Sequence, residues 1–169
     1  MRIVLALMAI CGLAFAQEAD QKTVSGSTYA LYQMASGNVM KAAEAMPEAN
    51  YSFKPADTVR SFGEMVGHVA DAQYFFCASA KGEKKASPGV EKMKSKAEIV
   101  AGLKEAIAYC ETAYGMLTDS NAGDAVAFGR GERARIGVLN FNTVHTYEHY
   151  GNIVTYMRIK GLVPPSSQQ

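Results

Sequence analysis

The sequence predicts an all-α protein, a four-helix bundle that follows a short N-terminal targeting segment. Apolar residues recur at three- and four-residue steps over most of the chain, as they do on the buried face of an amphipathic helix. Capping and stop signals divide this pattern into four long segments, enough to enclose one core. Strand signals are nearly absent, because no β-branched alternating run is bounded by an Asn-Gly or Asp-Gly turn.

The length and composition favour one soluble domain. The chain has 169 residues, of which 49% are hydrophobic and 20% charged, which disfavours both a disordered and a two-domain protein. Its 17 basic residues against 16 acidic ones give a formal net charge of +1, and the densest basic run is residues 129–135. Because phosphate recognition depends on clustered Lys and Arg, we expect no nucleic-acid partner.

Residues 1–16 have the pattern of a cleaved signal peptide. Arg2 supplies the positive charge, residues 3–16 are uncharged and apolar, and Ala14-Phe15-Ala16 is a small-x-small cleavage site. The apolar stretch is shorter than the roughly 20 residues that a membrane-spanning helix needs. We therefore predict export to the periplasm or the exterior, a mature chain beginning at Gln17, and no stable membrane insertion after cleavage.

The four helices are predicted in residues 23–46, 58–81, 96–119 and 136–160. The first helix ends at Pro47, and the second has Asp57 as its N-cap. Ser95 and Glu98 have the spacing of a capping box at the start of the third helix. The fourth ends at Gly161, which two prolines follow shortly afterwards.

Two long connections, residues 81–94 and 118–135, contain glycines and read as loops. About 13 extended residues reach roughly 43 Å, whereas a helix of about 24 residues is roughly 36 Å long. Either loop can therefore cross the bundle lengthwise, so loop length alone leaves the topology open. The bundle is expected to occupy residues 17–165, with a flexible tail at 166–169.

The three histidines carry the chemical prediction. His145 and His149 lie four residues apart on the predicted fourth helix, a spacing that suits two imidazoles on one metal ion. On the helical wheel they share a line with Val138 and Tyr156, so both rings point into the expected core. His68, in the middle of the second helix, is well placed as a third ligand. Three imidazoles leave a coordination position open, as in catalytic metal sites.

Four further residues are candidates for the surroundings of the ligands, whereas no catalytic group is assigned. Glu64 and Asp71 lie four residues before and three after His68, so either carboxylate can orient its ring, or simply lie on a solvated helix face. Asn142 and Asn152 flank the histidine pair and either line a pocket or form a polar seam between helices. In the structural alternative, that seam also satisfies the histidine pair by hydrogen bonds and no metal is bound.

Cys77 and Cys110 remain after the predicted cleavage. If the second and third helices are antiparallel, the two positions are about ten residues out of step, roughly 15 Å. If the helices are parallel, the offset is about five residues, roughly 8 Å. Both distances exceed the usual Cα separation of a disulfide, so free core thiols are favoured and neither thiol has the surroundings of an activated nucleophile.

Residues 61–72 (SFGEMVGHVADA), 145–152 (HTYEHYGN) and 156–165 (YMRIKGLVPP) resemble the DinB-like (DinB/YfiT-type) family. The strongest part of the resemblance is one histidine in the second helix and an H-x-x-x-H pair in the fourth. The resemblance implies an up-down-down-up four-helix bundle and a three-histidine site for a divalent metal. Zinc or nickel is the first expectation for that metal, with iron and manganese as further candidates. The resemblance also implies a homodimer.

The sequence is compatible with two classes of function. The first is a metal-dependent hydrolase or transferase in which the ion activates water or a thiol against a small-molecule substrate. Thiol-dependent transferases work where a low-molecular-weight thiol is abundant, in the cytosol, so predicted export disfavours that branch. The alternative is a non-catalytic metal-binding or stress-related bundle that acts as a binding or interaction module.

Overall fold

The computed structural model of the protein describes residues 20–168. It contains four long helices, α1 (Val24–Ala45), α2 (Phe62–Lys81), α3 (Lys96–Gly115) and α4 (Arg135–Ile159), and two short strands, β1 (Ala125–Phe128) and β2 (Gly131–Ala134). The predicted signal peptide, residues 1–16, lies outside the described residues. No helix between residues 20 and 168 combines the length and the apolar character needed to cross a membrane.

Contacts between helix ends establish the up-down-down-up topology. Tyr32, in the first half of α1, stacks on Tyr114 at the end of α3, with ring centroids 4.0 Å apart. Cys77 and Cys110, near the ends of α2 and α3, are joined by a disulfide, so these two helices are parallel. The hydroxyl of Tyr114 donates to the carbonyl oxygen of Leu139 near the start of α4, at 2.7 Å. α1 and α4 therefore run opposite to α2 and α3, as the family resemblance implies.

Two parallel neighbours require a crossover connection, which the chain makes between Gly82 and Ser95. This crossover segment runs back along α2 and is held there by Asp71, whose carboxylate accepts from the backbone N–H groups of Val90 (2.8 Å) and Glu91 (3.0 Å). The hydroxyl of Ser87 donates to the same carboxylate. The first of the two predicted long loops is thus the one that crosses the bundle lengthwise.

Capping boxes determine where α2 and α3 begin. Ser61 accepts from the N–H of Glu64, and the carboxylate of Glu64 accepts from the N–H of Ser61, so α2 begins at Phe62. The predicted start at 58 with Asp57 as N-cap is wrong, because the reciprocal Ser-Glu pair satisfies two free amides at once. The start of α3 after Ser95 is confirmed, although this helix ends at Gly115 rather than at 119.

The later start of α2 explains why the expectation of free thiols is also wrong. Cys77 lies 15 residues beyond Phe62, and Cys110 lies 14 residues beyond Lys96, so in parallel helices the two are nearly level. Their Cα atoms are 5.3 Å apart, which suits a disulfide. The expected offset of about five residues came from placing the start of α2 four residues too early.

The second predicted loop contains an antiparallel hairpin, contrary to the expectation of no strands. Its register pairs Phe128 with Gly131 across the two-residue turn at Gly129 and Arg130, and Gly129 has a φ of +63° that favours glycine. Val126 faces the core from β1. Strands of four residues are too short for alternation to be visible in a sequence whose helical periodicity dominates.

The interior is mostly apolar but contains a polar layer near the disulfide. Gln73 and Asn142 are both fully buried there. The hydroxyl of Tyr32 donates to Oε1 of Gln73 at 2.7 Å, and Nδ2 of Asn142 donates to the hydroxyl of Tyr114 at 3.1 Å.

Near the C-terminus, Ser166 is hydrogen-bonded to the Tyr150 hydroxyl. The tail expected at 166–169 is therefore held against α4 over its described residues.

Candidate metal site

Two of the three histidines face each other on α4. His145 and His149 lie one helical turn apart, their ring centroids are 4.3 Å apart, and their Nε2 atoms are 3.0 Å apart. Because positions four apart share one face of a helix, both rings project in the same direction, and that direction is toward α2. The pair is therefore aimed at the helix that carries the third histidine.

His68 completes the group from α2. Its ring centroid lies 5.2 Å from that of His145 and 4.8 Å from that of His149. One ring nitrogen from each histidine falls within a set whose members are all within 4.8 Å of one another. The antiparallel packing of α2 on α4 thus brings the three predicted residues together.

Burial keeps two of these rings neutral. Desolvation is the main cause that lowers the pKa of His145, from 6.5 to about 4, and the neighbouring rings of His149 and His68 lower it further. Burial also lowers the pKa of His149, which is 8% exposed, with His68 as the next cause. Both rings therefore retain a nitrogen lone pair at neutral pH, which metal coordination requires.

The histidine pair is not satisfied by protein groups alone. If one Nε2 donates to the other, the two Nδ1 atoms still need partners, and no group within residues 20–168 hydrogen-bonds Nδ1 of His145 or of His149. Each Nδ1 is unpaired both in a metal-free polar seam and when a metal ion is held by the two Nε2 atoms, at a cost of about 1–3 kcal/mol per buried atom. A set of three imidazole nitrogens could hold a divalent metal ion.

A carboxylate that the sequence reasoning missed touches the third ring. Oε2 of Glu91 lies 3.3 Å from Nδ1 of His68, and Oε1 accepts from Nε of Arg60 at 2.8 Å. A carboxylate only accepts hydrogen bonds, so Nδ1 of His68 is the donor. Glu91 lies in the crossover segment, and no helical spacing relates it to His68. The only signal in the sequence was that residues 81–94 are long enough to run alongside α2.

The two acidic candidates have other partners. Glu64 completes the capping box of α2, and its carboxylate lies 3.4 Å from Nζ of Lys54. Its pKa is lowered chiefly by the hydrogen bond from the Ser61 N–H. Asp71 holds the crossover segment, as described above. The structure therefore gives these carboxylates helix-capping and loop-anchoring contacts, and places Glu91 beside the ring of His68.

The two asparagine candidates separate. Asn142 is buried in the polar layer, with Nδ2 3.8 Å from each Sγ of the disulfide. Asn152 is exposed, and its Nδ2 donates to the carbonyl oxygen of Glu148 at 3.3 Å. Of the two, Asn152 lines the cavity next to the histidines.

An open cavity of about 760 Å³ lies beside His149. Its walls come from the segment before α2, from the crossover segment and from the second half of α4. The lining includes Lys54, Arg60, Glu64, Glu91, Asn152 and Tyr156. The hydroxyl of Tyr156 donates to the carbonyl oxygen of Arg60 at 2.7 Å. This hydrogen bond connects α4 to the segment that precedes α2. A small molecule can therefore reach His149 through this cavity, whose lining is largely polar and charged.

The opposite side of His145 is aromatic. The ring of Phe76 lies 5.3 Å from that of His145, and it contacts Phe128 of the hairpin at 6.0 Å and Phe141 at 5.3 Å. Phe75 and Phe141 are 51% and 43% exposed. The histidine group thus lies between a polar cavity and a partly exposed aromatic surface.

Fold and site together define a helical bundle with a three-histidine group that could hold a metal ion. The chain belongs to the DinB superfamily, whose family model matches residues 31–153. The resemblance stated from the sequence is thereby confirmed. No curated protein matches the chain.

Solved structures show the same fold at low sequence identity. A DinB-like protein from Bacillus cereus is 16% identical, with a TM-score of 0.73 over 85% of this chain and 96% of the other. A DinB-like protein from Bacillus subtilis is 18% identical, with a TM-score of 0.64 over 85% and 99%. The mycothiol-dependent maleylpyruvate isomerase is 11% identical, with a TM-score of 0.63 over 79% of this chain but only 62% of that enzyme.

Proposed function

We propose that His68, His145 and His149 bind one divalent metal ion and that the protein is a metal-dependent hydrolase or transferase acting on a small molecule. One observation carries the proposal: three imidazoles from two helices converge beside an open cavity. The neutral state of the two rings on α4 supports it, since a protonated ring cannot coordinate. The family resemblance favours zinc or nickel, both of which imidazole ligands suit, and iron and manganese are the next candidates.

The chain's own residues prepare the site for such chemistry. A bound divalent ion supplies Lewis acidity, which lowers the pKa of a water or thiol nucleophile. The cavity admits the substrate, and the amide of Asn152 on its wall can hydrogen-bond a polar substrate group. Pro55, Val59 and Met65 add apolar groups to the same cavity wall, so substrates with an aryl or alkyl group belong in any test.

The thiol branch and the water branch of the proposal have different support. Thiol chemistry is compatible with this fold, because a mycothiol-dependent isomerase shares it. That likeness extends to the fold alone. The predicted export favours water as the nucleophile, because a low-molecular-weight thiol is abundant in the cytosol. We favour hydrolysis.

Export itself is part of the proposal. Its support is the signal-peptide pattern of residues 1–16 together with the disulfide between Cys77 and Cys110, since disulfides persist in oxidising compartments. Expression of the full chain in a bacterial host, followed by N-terminal sequencing of the periplasmic fraction, is expected to give a chain that starts at Gln17. Uncleaved protein confined to the cytoplasm would contradict export.

The test of the metal site compares the wild type with single-ligand variants. Purified wild-type protein reconstituted with zinc or nickel is expected to retain about one equivalent after gel filtration, since three imidazoles form one site. His145→Ala and His149→Ala are expected to lose it. Val144→Ala is the matched control, because Val144 is 62% exposed on the same helix and is expected to keep the ion. A wild type that retains no metal ends the proposal.

Activity separates an enzyme from a metal-binding module. The loaded protein is assayed against aryl and alkyl esters, amides and phosphoesters, with the His145→Ala protein and free metal as blanks. Turnover that requires both the protein and the ion supports a hydrolase, and turnover only with an added thiol supports a transferase. Stoichiometric metal without any turnover favours the alternative, a non-catalytic metal-binding bundle.

A further inference from the structure

The carboxylate of Glu91 bridges two residues that lie far from it in the chain. One oxygen accepts from Nε of Arg60 at 2.8 Å, and the other lies 3.3 Å from Nδ1 of His68. In an exposed position such an ion pair contributes little to stability, because water screens the two charges. The Arg60 and Glu91 side chains are 41% and 34% exposed, so this ion pair adds little to the stability of the fold. Its main effect is to orient the Glu91 carboxylate.

The fold holds Glu91 in place from three directions. The Asp71 carboxylate accepts from the Glu91 N–H at 3.0 Å, which fixes the backbone of the crossover segment. A Cβ at Gly67 would lie 2.5 Å from Cα of Glu91, so only glycine at position 67 lets the segment approach α2 this closely. The Tyr156 hydroxyl binds the carbonyl oxygen of Arg60, which anchors the cation that pairs with Glu91.

The hydrogen bond decides which nitrogen of His68 is free. Because a carboxylate cannot donate, the contact with Glu91 requires the proton on Nδ1 of His68. A neutral ring with its proton on Nδ1 has its lone pair on Nε2. Without this partner the ring can adopt either tautomer or rotate, and both changes move the lone pair away from the place that Nε2 now occupies.

We propose that Glu91 is a positioning residue for the metal site: its carboxylate fixes the tautomer and the rotation of His68, so that Nε2 of this ring is presented together with the rings of His145 and His149. This inference rests on the proposed metal function. The crossover segment links two parallel helices. In this inference it has a second role, because its residue Glu91 raises the metal affinity of the site.

The experiment measures zinc affinity by competition with a chromophoric chelator. Glu91→Ala is expected to weaken zinc binding by about 10–100-fold, the usual effect of removing a hydrogen-bond acceptor from a metal-binding histidine. Glu91→Leu retains the volume and is expected to behave alike, and circular dichroism establishes that each variant is folded. Glu83→Gln is the matched control, because Glu83 lies in the same segment and pairs with a cation, Lys81, at 2.9 Å.

Two readouts distinguish positioning from a general loss of structure. Glu91→Gln keeps an oxygen that can accept from Nδ1, so it is expected to restore most of the zinc affinity that Glu91→Ala loses. Nitrogen-15 NMR of the metal-free protein is expected to show His68 with its proton on Nδ1 in the wild type and in Glu91→Gln. In Glu91→Ala, a mixture of tautomers is expected.

The outcomes separate this inference from the proposed function. If the wild type binds zinc and the folded Ala and Leu variants bind it equally tightly, the role of Glu91 is overturned and the metal site stands. The same holds if His68 keeps its Nδ1 proton in Glu91→Ala. If the wild type binds no zinc, the proposed function fails and the inference fails with it.

Discussion

Nε2 of His145 lies 3.0 Å from Nε2 of His149, in a pair where His149 is buried and His145 is partly buried. Protonation of either ring therefore places a charge in a desolvated site beside another imidazole, and burial accordingly lowers the pKa of His145 from 6.5 to about 4. Between these values the unfolded chain binds a proton that the folded protein does not, so stability rises with pH. We expect the free energy of unfolding of metal-free protein to fall as the pH drops from 6.5 towards 4.

Urea unfolding in the presence of a chelator, at a series of pH values, measures this dependence. His145→Gln removes the ring with the larger shift, so its stability is expected to change less steeply over the same pH range. Val144→Ala, on the exposed side of the same helix, is expected to keep the wild-type slope. A His145→Gln protein with an unchanged slope would show that other groups cause the pH dependence.

The disulfide between Cys77 and Cys110 closes a loop with a sequence separation of 33 and joins the two parallel helices. Constraint of the unfolded chain by a loop of this size stabilises the fold by about 3–4 kcal/mol. Equilibrium urea unfolding with dithiothreitol is therefore expected to give a lower midpoint than unfolding without it. The Cys77→Ala/Cys110→Ala protein is the control, since reductant cannot change its midpoint. Equal wild-type midpoints with and without reductant would contradict the bond.

The sequence was sufficient to predict the helices and the convergence of the histidines. His145 and His149 are related by helical spacing, and His68 lies at the centre of a strongly periodic segment, so local periodicity carries this information. Glu91 has no such relation to His68. Its position depends on the path of the crossover segment, which is set by tertiary contacts with Asp71 and Gly67.

The errors at the start of α2 and at the cysteines have one origin. Asp57 and Ser61 are both good N-cap residues, and only the reciprocal bond with Glu64 selects Ser61. A four-residue error at a helix end amounts to about 6 Å along the axis, at 1.5 Å per residue, which is enough to separate two bonded cysteines. Helix boundaries, rather than helix identity, limited the prediction of the disulfide between Cys77 and Cys110.

Gly67 is expected to tolerate no side chain, because a Cβ there would meet the backbone of Glu91 at 2.5 Å. Gly67→Ala should push the crossover segment away from α2, cost about 1–3 kcal/mol of stability through overpacking, and weaken zinc binding. Gly37→Ala is the matched control, since Gly37 lies within α1 with no atom within 4 Å of a Cβ. There the substitution is expected to stabilise the helix by about 0.5–1 kcal/mol. Equal effects at the two glycines would exclude close approach at position 67.

The buried hydrogen bond from the Tyr32 hydroxyl to Oε1 of Gln73, 2.7 Å long, gives a prediction about the polar layer. Nε2 of Gln73 has no partner within the described residues, so Tyr32→Phe deprives a fully buried amide of its side-chain partner and is expected to cost about 1–3 kcal/mol. Gln73→Met added to Tyr32→Phe is expected to recover most of this loss, because both partners become apolar at similar volume. Urea unfolding of the wild type, both single variants and the double variant measures the coupling. Additive losses in the double variant would contradict this account of the polar layer.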